Sequence, residues 1–366
     1  MSSRRFVLKR LLLLIPVLFG VATVVFSILH LGPGDPAQVI AGRRASQAEV
    51  QHIRELLGLN QPIWKQYLDF LGDVSPISFS PVATFPFLEL NLGIELQESF
   101  AIRRGTPVTT ILKNRLPVTV ELAIYGQFFG ILFGIPLGII SAVKQDSIVD
   151  HVGRVTALSG ISVPIFWSGP LLIMIFAVML GWFPATGRIA SGFSVPSYTG
   201  LITIDSLIQG VKLYMDGQAL GAAFDAFVSA VKHMLLPSLT IGIYSMALIS
   251  RMMRSSMLEV VRQDYMRTAR AKGQGAKITL MKHGLRNALI PVVTVIGIQF
   301  GTLLGGAVLT ETVFGIHGIG QLVVAAIKAT DYPVVQGTVL TFALLFTLVN
   351  LGVDITYSYL DPRIQQ

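Results

Sequence analysis

The chain has 366 residues, enough for two or three soluble domains, yet 52% of them are hydrophobic and only 13% are charged, and its mean hydropathy is +0.66. That balance excludes an ordinary soluble protein and belongs to a membrane protein. The absence of cysteine excludes disulfides, thiolate zinc sites and cysteine nucleophiles, and the net charge of +8 is no nucleic-acid signal, because the basic residues follow the loops between apolar runs.

Six stretches are apolar over about 20 residues, the length that crosses a hydrocarbon core of about 30 Å. They run approximately over 10–31, 116–143, 155–183, 234–250, 288–310 and 336–358. The expected fold is all-α, a polytopic membrane protein with six transmembrane helices. The first span follows Arg4, Arg5, Lys9 and Arg10 as a signal peptide would, but no small-residue cleavage site comes after it, so residues 1–31 are read as a retained N-terminus and span.

Residues 32–115 form the largest segment outside the membrane, opened by the turn cluster Gly32-Pro33-Gly34-Asp35-Pro36. Ser46 and Glu49 make a capping box, the helix behind it places Val50, Ile53, Leu56 and Leu57 on one side, and Gly58 ends it. A second amphipathic helix follows Pro62, and its Ile63, Trp64, Tyr67, Leu68 and Leu71 either lie on the bilayer surface or pack on the spans. Residues 73–100 show no period and read as irregular.

Residues 116–358 hold the remaining spans, with a second outer segment at 184–232, where Asp205, Lys212, Asp216 and Asp225 argue against a seventh span. In the third outer loop, 311–335, the run Ile319–Ile327 is too short to cross and reads as an interfacial helix ending near Asp331-Tyr332-Pro333. Three spans open with a similar pattern around Pro117, Pro237 and Pro291. Such prolines either sit in first helical turns, where no hydrogen bond is lost, or mark kinks beside a translocation path.

Residues 1–10, 144–154, 251–286 and the tail 359–366 carry 16 of the 28 Lys and Arg. The excess of positive charge places these segments, and both termini, in the cytoplasm; Arg43, Arg44, Arg54 and Lys65 fall in the long outer loop, where the rule is weak.

No energy source is visible. A nucleotide-binding P-loop needs a Gly-Lys pair, and none occurs; Gly273-Gln274-Gly275-Ala276-Lys277 reads as a helix end. An ion-coupled carrier would place charges near the midplane, but residues 155–187, 234–250 and 288–310 have none. Glu121, near the outer end of the second span, reads as a satisfied interfacial carboxylate or as a substrate or proton group. The six histidines have no metal-ligand spacing, and there is no GxSxG elbow. The expectation is a chain that is not an enzyme, with no catalytic residue, metal site or cofactor of its own.

Energy must then enter through another protein, and residues 251–286 suit that role. They carry nine Lys or Arg against Glu259 and Asp264. Met257, Val261, Tyr265 and Ala269 recur every four residues, which predicts one amphipathic helix over Ser255–Lys272, capped by Gly273. Small residues at its end permit close approach to a partner's groove while the arginines pair with carboxylates; equally, a basic helix can lie on anionic lipid.

The stretch Asp264-Tyr265-Met266-Arg267-Thr268-Ala269-Arg270-Ala271-Lys272-Gly273, followed by His283-Gly284-Leu285-Arg286-Asn287-Ala288-Leu289-Ile290-Pro291, resembles the EAA-type coupling loop of ABC importer permeases in the dipeptide, oligopeptide and nickel group. The likeness continues at 31–36, 57–62, 134–138, 163–167, 254–258, 331–333 and 360–363. It matches that group's first permease subunit, the one with a long outer loop after span one. The resemblance implies an ABC importer type I permease fold in the cell membrane and an ATP-driven importer of di- or oligopeptides. Relatives also import oligosaccharides, glutathione or nickel chelates. It implies as partners a second homologous permease, two ATP-binding subunits that bind ATP and Mg, and an extracytoplasmic substrate-binding protein. The coupling set it implies is Glu259, Asp264, Tyr265, Arg267, Thr268, Ala269, Arg270, Ala271, Lys272 and Gly273, while substrate-binding residues stay unassigned. Ala269 and Gly273 match the motif's small positions, and Arg267 stands at its leading acidic position. Residues 73–92 look inserted, and His317 replaces a proline in Phe314–Gly320.

Overall fold

The structure is a computed structural model that describes residues 3–31, 35–42, 45–56, 58–74, 98–99, 102–103 and 105–360. The helices in chain order are α1 (Ser3–Leu31), α2 (Pro36–Ala41), α3 (Gln47–Leu56), α4 (Ile63–Val74), α5 (Val108–Val143), α6 (Ile148–Ser162), α7 (Ile165–Leu172), α8 (Ile202–Met215), α9 (Leu220–Val261), α10 (Asp264–Ala271), α11 (Ala276–Ile278), α12 (Arg286–Val313), α13 (Ile319–Lys328) and α14 (Tyr332–Leu360). Two π-helical segments, Ile173–Met179 and Thr279–Leu285, extend α7 and lead into α12. Among the described residues the one departure from helix and loop is an isolated bridge between Glu98 and Pro107.

Five helical stretches are long and apolar enough to cross a membrane: Leu12–Leu31, Val108–Val143, Leu220–Val261, Ala276–Gly305 and Tyr332–Thr356. Ile148–Ser162 and Ile165–Met179 pass the same test only as a pair, bent by 106°, which is the geometry of a broken span or of a re-entrant loop and not of the single straight helix expected over 155–183. The break falls at Val163, which Pro164 forces out of the helical region to φ −81°, ψ 118°. The all-α fold and the six apolar segments agree with expectation, but the boundaries do not. α5 and α9 begin well before residues 116 and 234, so Pro117 and Pro237 lie deep inside helices, and Pro291 is preceded by the π segment. The reading of these prolines as first-turn residues is therefore corrected. Charged residues such as Lys113 and Lys232 lower the hydropathy of the helical extensions without breaking them.

The chain divides into two compact units. One comprises residues 12–116 and 321–344. In it Val21, Ala22 and Phe26 of α1 pack on Tyr67, Phe70 and Leu71 of α4 and on Leu340, and Thr23 shares a 2.6 Å hydrogen bond with the Tyr67 hydroxyl. So α4 packs through Tyr67 and Leu71, while Ile63, Trp64 and Leu68 stay exposed. The capping box is present: Glu49 Oε2 accepts from Ser46 N at 2.7 Å and Ser46 Oγ from Glu49 N at 3.3 Å. Val50 is buried on the predicted face, whose Leu57 lies outside the described residues, as do the expectations for residues 32–34, Arg43, Arg44, most of 73–100 and 361–366. Asp331 is buried and accepts from Ser99 Oγ at 2.7 Å and Ile102 N at 2.9 Å.

The other unit comprises residues 1–11, 117–320 and 345–366. Its centre is α9 against α5, joined by a stripe of glycines every four residues, at 126, 130, 134 and 138. A Cβ on Gly130 would lie 2.6 Å from Ser245 Oγ, one on Gly134 2.9 Å from Met246 O, and one on Gly138 2.6 Å from Ser250 O. Only glycine lets the two backbones come so near, the device that packs helices where lipid removes the hydrophobic drive. Gly301 of α12 is pressed in the same way by Phe346 of α14.

Buried acids in this unit are satisfied. Glu121 takes hydrogen bonds from Thr203 N at 2.9 Å, Thr203 Oγ1 at 2.6 Å and Ile202 N at 3.2 Å, and pairs with Arg188. It thereby caps α8, whose own N-cap Leu201 has no side-chain acceptor. This is the structural reading of Glu121. Glu311 accepts from Thr119 Oγ1 at 2.6 Å. Segment 184–232 holds α8 and the start of α9, and α8 is not among the membrane-crossing helices.

Candidate functional site

The loop between α9 and α12 departs from one helix over Ser255–Lys272. α9 runs to Val261, Arg262 caps it, and Gln263 in extended conformation (φ −71°, ψ 149°) starts the separate α10. The four-residue period of Met257, Val261, Tyr265 and Ala269 therefore does not describe one face: the break resets the phase.

In α10 the buried side chain is Met266, with no exposure. Its Cε would lie 3.3 Å from a Cβ on Gly284, and Met257 Cε and Leu280 Cδ1 would each lie 3.8 Å from it. Gly284 thus leaves the hole that Met266 fills, and the wide π turn over Thr279–Leu285 forms the wall. Polar ties surround this anchor. Asn287 Nδ2 donates to Tyr265 Oη at 2.9 Å, and His283 Nε2 lies 2.8 Å from Gln274 Oε1.

The anticipated site residues fall on three elements. Glu259 is exposed on the last turns of α9. Asp264, Tyr265, Arg267, Thr268, Arg270 and Ala271 are on α10, with Ala269 half-buried and the Thr268 hydroxyl donating to Asp264 O at 3.1 Å. Asp264 stands in the first turn and Arg270 in the last, the arrangement the helix dipole favours. Lys272 and Gly273 close the helix as expected. Gly273 has φ +81°, its N–H bonds Arg270 O at 3.0 Å, and Gln274 N bonds Ala269 O at 3.3 Å, a Schellman cap. A Cβ at Gly273 meets nothing within 4 Å, so its outer side is open.

Sequence reasoning missed a second feature next to the loop. Asp150, fully buried at the start of α6, accepts hydrogen bonds from Nε and Nη2 of Arg254 on α9, each at 2.7 Å. Ser141 Oγ at 2.6 Å and Asp146 N at 3.0 Å complete its shell, and Arg154 lies 3.7 Å away. Bidentate, charge-assisted geometry of this kind is the strong form of the interaction. It locks the ends of α5, α6 and α9 on the side of the chain that carries α10. The sequence announces only the local part: Asp150, three residues after Ser147, fits a helix-start pattern, with Asp150 N donating to Ser147 Oγ at 3.4 Å, and nothing near it in the chain names Arg254. Among the described residues no group of His, Asp and Glu is placed to hold a metal ion.

Two family models match the chain: binding-protein-dependent transport system inner membrane component over residues 134–366, and the N-terminal membrane component of such systems over residues 3–123. The chain is 44% identical over 360 residues to the dipeptide transport system permease protein DppB of Alkalihalophilus pseudofirmus, covering 98% of this chain and 99% of the relative. It is 41% identical over 366 residues to DppB of Escherichia coli K12, covering 99% and 98%. A glutathione transport system permease protein, GsiC of Pectobacterium atrosepticum, is 38% identical over 358 residues, 98% of each chain. Among solved structures, the inward-facing MetNI methionine ABC transporter aligns at a TM-score of 0.49 and 19% identity, over 69% of this chain and 98% of that one.

Proposed function

The chain belongs to the family of binding-protein-dependent transport system inner membrane components, and from that premise we infer that it is a permease subunit of a peptide ABC importer, worked through α10. Its relatives at 41–44% identity over nearly the whole length are dipeptide permeases, and its helices supply the spans of a multi-pass membrane protein. In this reading ATP and Mg bind two cytoplasmic ATP-binding subunits, a second permease completes the pathway, and an extracytoplasmic binding protein delivers the substrate. Both termini and residues 251–286 face the cytoplasm, in keeping with the positive charge of those segments.

The observation that carries the coupling role is the division of α10 into one buried anchor and an open polar face. Met266 fixes the helix to the wall before α12, while Asp264, Arg267, Thr268 and Arg270 remain available to a partner. A shift of α10 imposed by an ATPase is passed to α12 through Met266 and to α9 through the short Arg262-Gln263 link.

Because the chain has no cysteine, Arg270→Cys creates a unique thiol. It is expected to react only from the cytoplasmic side and to cross-link to the ATP-binding subunit; labelling from outside intact cells overturns the orientation. Gly273→Trp is expected to leave assembly and ATP hydrolysis in place while abolishing uptake. Gly273→Asn, which tolerates the left-handed backbone, is expected to retain most uptake. Unchanged uptake in an assembled Gly273→Trp transporter refutes the coupling role.

A further inference from the structure

A cleft of about 470 Å³ opens between α9 and α12, lined by Arg251 and Ser255 together with Gln299, and by the apolar Leu248, Met252 and Ile298. Arg251 and Ser255 also border a second cleft, of about 430 Å³, on the α5 and α6 side of α9. They thus form a polar ridge between the two openings, of which the second also holds Arg154 and Arg254.

Arg251 has no ion pair or hydrogen bond among the described residues, whereas Arg254, one turn on, is fully committed to Asp150. Arg251 and Ser255 are exposed at the rim of the cleft, so the unpaired guanidinium stands at its opening and the buried Gln299 inside it. Gln299 is only 6% exposed, and its amide nitrogen is buried with no acceptor. Buried donors nearly always have a partner, and an orphan calls for one. The polar groups of this cleft are a guanidinium fork, an amide N–H and a hydroxyl, with no carboxylate beside them. That set suits an anion with two oxygens, which the fork grips in bidentate fashion.

We propose that Arg251, Ser255 and Gln299 form a subsite for the terminal carboxylate of the transported peptide, with Leu248, Met252 and Ile298 receiving its last side chain. The proposal rests on the reading of the chain as a peptide importer permease. Every free peptide carries that carboxylate whatever its sequence, so the subsite recognises the class and not one member. A lipid phosphate shares the anionic chemistry, and the test separates the two.

Ser255→Cys places the chain's only thiol in the cleft. In the complete transporter, in nanodiscs of phosphatidylcholine and without ATP, the thiol is titrated with an anionic sulfonate thiosulfonate reagent and with its uncharged methyl counterpart. Adding Arg251→Gln is expected to lower the anionic-to-neutral rate ratio by between about threefold and about a hundredfold. One unit charge about 6 Å away gives that range as the effective dielectric goes from about 80 to about 20. Excess trialanine is expected to slow the anionic reagent and trialanine amide to leave it unchanged, and Gln299→Leu to weaken that protection. A ratio insensitive to Arg251→Gln, or an introduced thiol that does not react at all, overturns the anion site. Equal protection by acid and amide, or protection seen only when phosphatidylglycerol replaces phosphatidylcholine, overturns the peptide assignment. Since no hydrolysis is involved, a transporter uncoupled at Gly273 gives the same readout, which keeps this test independent of the coupling role.

Discussion

Replacing Met266 by alanine removes the buried side chain by which α10 is held. A fully buried methionine truncated to alanine costs about 2–5 kcal/mol when the surroundings do not collapse, and the open wall left by Gly284 offers little to collapse inward. α10 has eight residues, below the ~12–15 at which an isolated helix becomes even marginal in water, so its order comes from docking. A loss of about 2–3 kcal/mol raises the undocked population roughly 30- to 160-fold. Hydrogen exchange of residues 264–272 in the assembled transporter should accelerate by that factor, with the exchange of α9 and α12 unchanged. Peptide uptake should fall while ATP hydrolysis by the partner subunits persists. Met266→Leu, close in volume, should cost less than about 1.5 kcal/mol and preserve uptake. Exchange within about twofold of the parent in Met266→Ala, or equal damage from Met266→Leu, would refute the anchoring argument.

Gly130→Ala forces a methyl against Ser245 and should lower the stability of the unit by about 1–3 kcal/mol, read as an earlier thermal transition. Gly352→Ala, where nothing lies within 4 Å, should be neutral or slightly stabilising. Arg254→Met strands the buried Asp150 and should cost about 3–5 kcal/mol; Asp150→Asn combined with Arg254→Met should cost less than the sum of the single changes, the signature of a direct pair in a double-mutant cycle. Hydrogen bonds from Ser46 hold the Glu49 carboxyl below its ordinary value of 4.5. A lowered folded value means that the cap's contribution is complete above 4.5 and disappears as pH falls through the lowered value. Protection of the α3 amides should follow that course, and in Glu49→Gln it should not vary with pH over this range.

What could be read from the residues divides by the range of the physics. Local rules held: Ser46 and Glu49 close their box, Gly273 takes the left-handed cap, and Ile319–Lys328 is a short apolar helix. Hydropathy located six apolar segments but not the ends of the helices, because α5 and α9 begin in turns that carry charges such as Lys113, Asp225 and Lys232, which a transfer scale counts as loop. The division at Arg262-Gln263 has neither glycine nor proline to announce it, so the expected helix over Ser255–Lys272 is too long, and its four-residue period runs through Tyr265 and Ala269 and not through the buried Met266. The glycine stripe at 126, 130, 134 and 138 was visible as a four-residue period. Its meaning depends on the helix it meets, which no local pattern names. Asp150 and Arg254 lie 104 positions apart, and pairing at that separation is a product of the fold.

The length of α9 has a mechanical consequence. Its 42 residues span about 63 Å at about 1.5 Å per residue, twice a hydrocarbon thickness of about 30 Å. The glycine stripe meets it in its second half, around Ile241 to Met253, where Ile249 and Met253 also pack among Ile131, Ile135 and Ile139 of α5 and the Arg254–Asp150 pair sits just beyond. About Ala247 the arms are unequal, about 40 Å toward Leu220 and about 21 Å toward Val261, so a tilt of about 5° there carries the two tips in opposite directions by about 3.5 Å and about 1.8 Å. A see-saw of this kind cannot widen one mouth without narrowing the other.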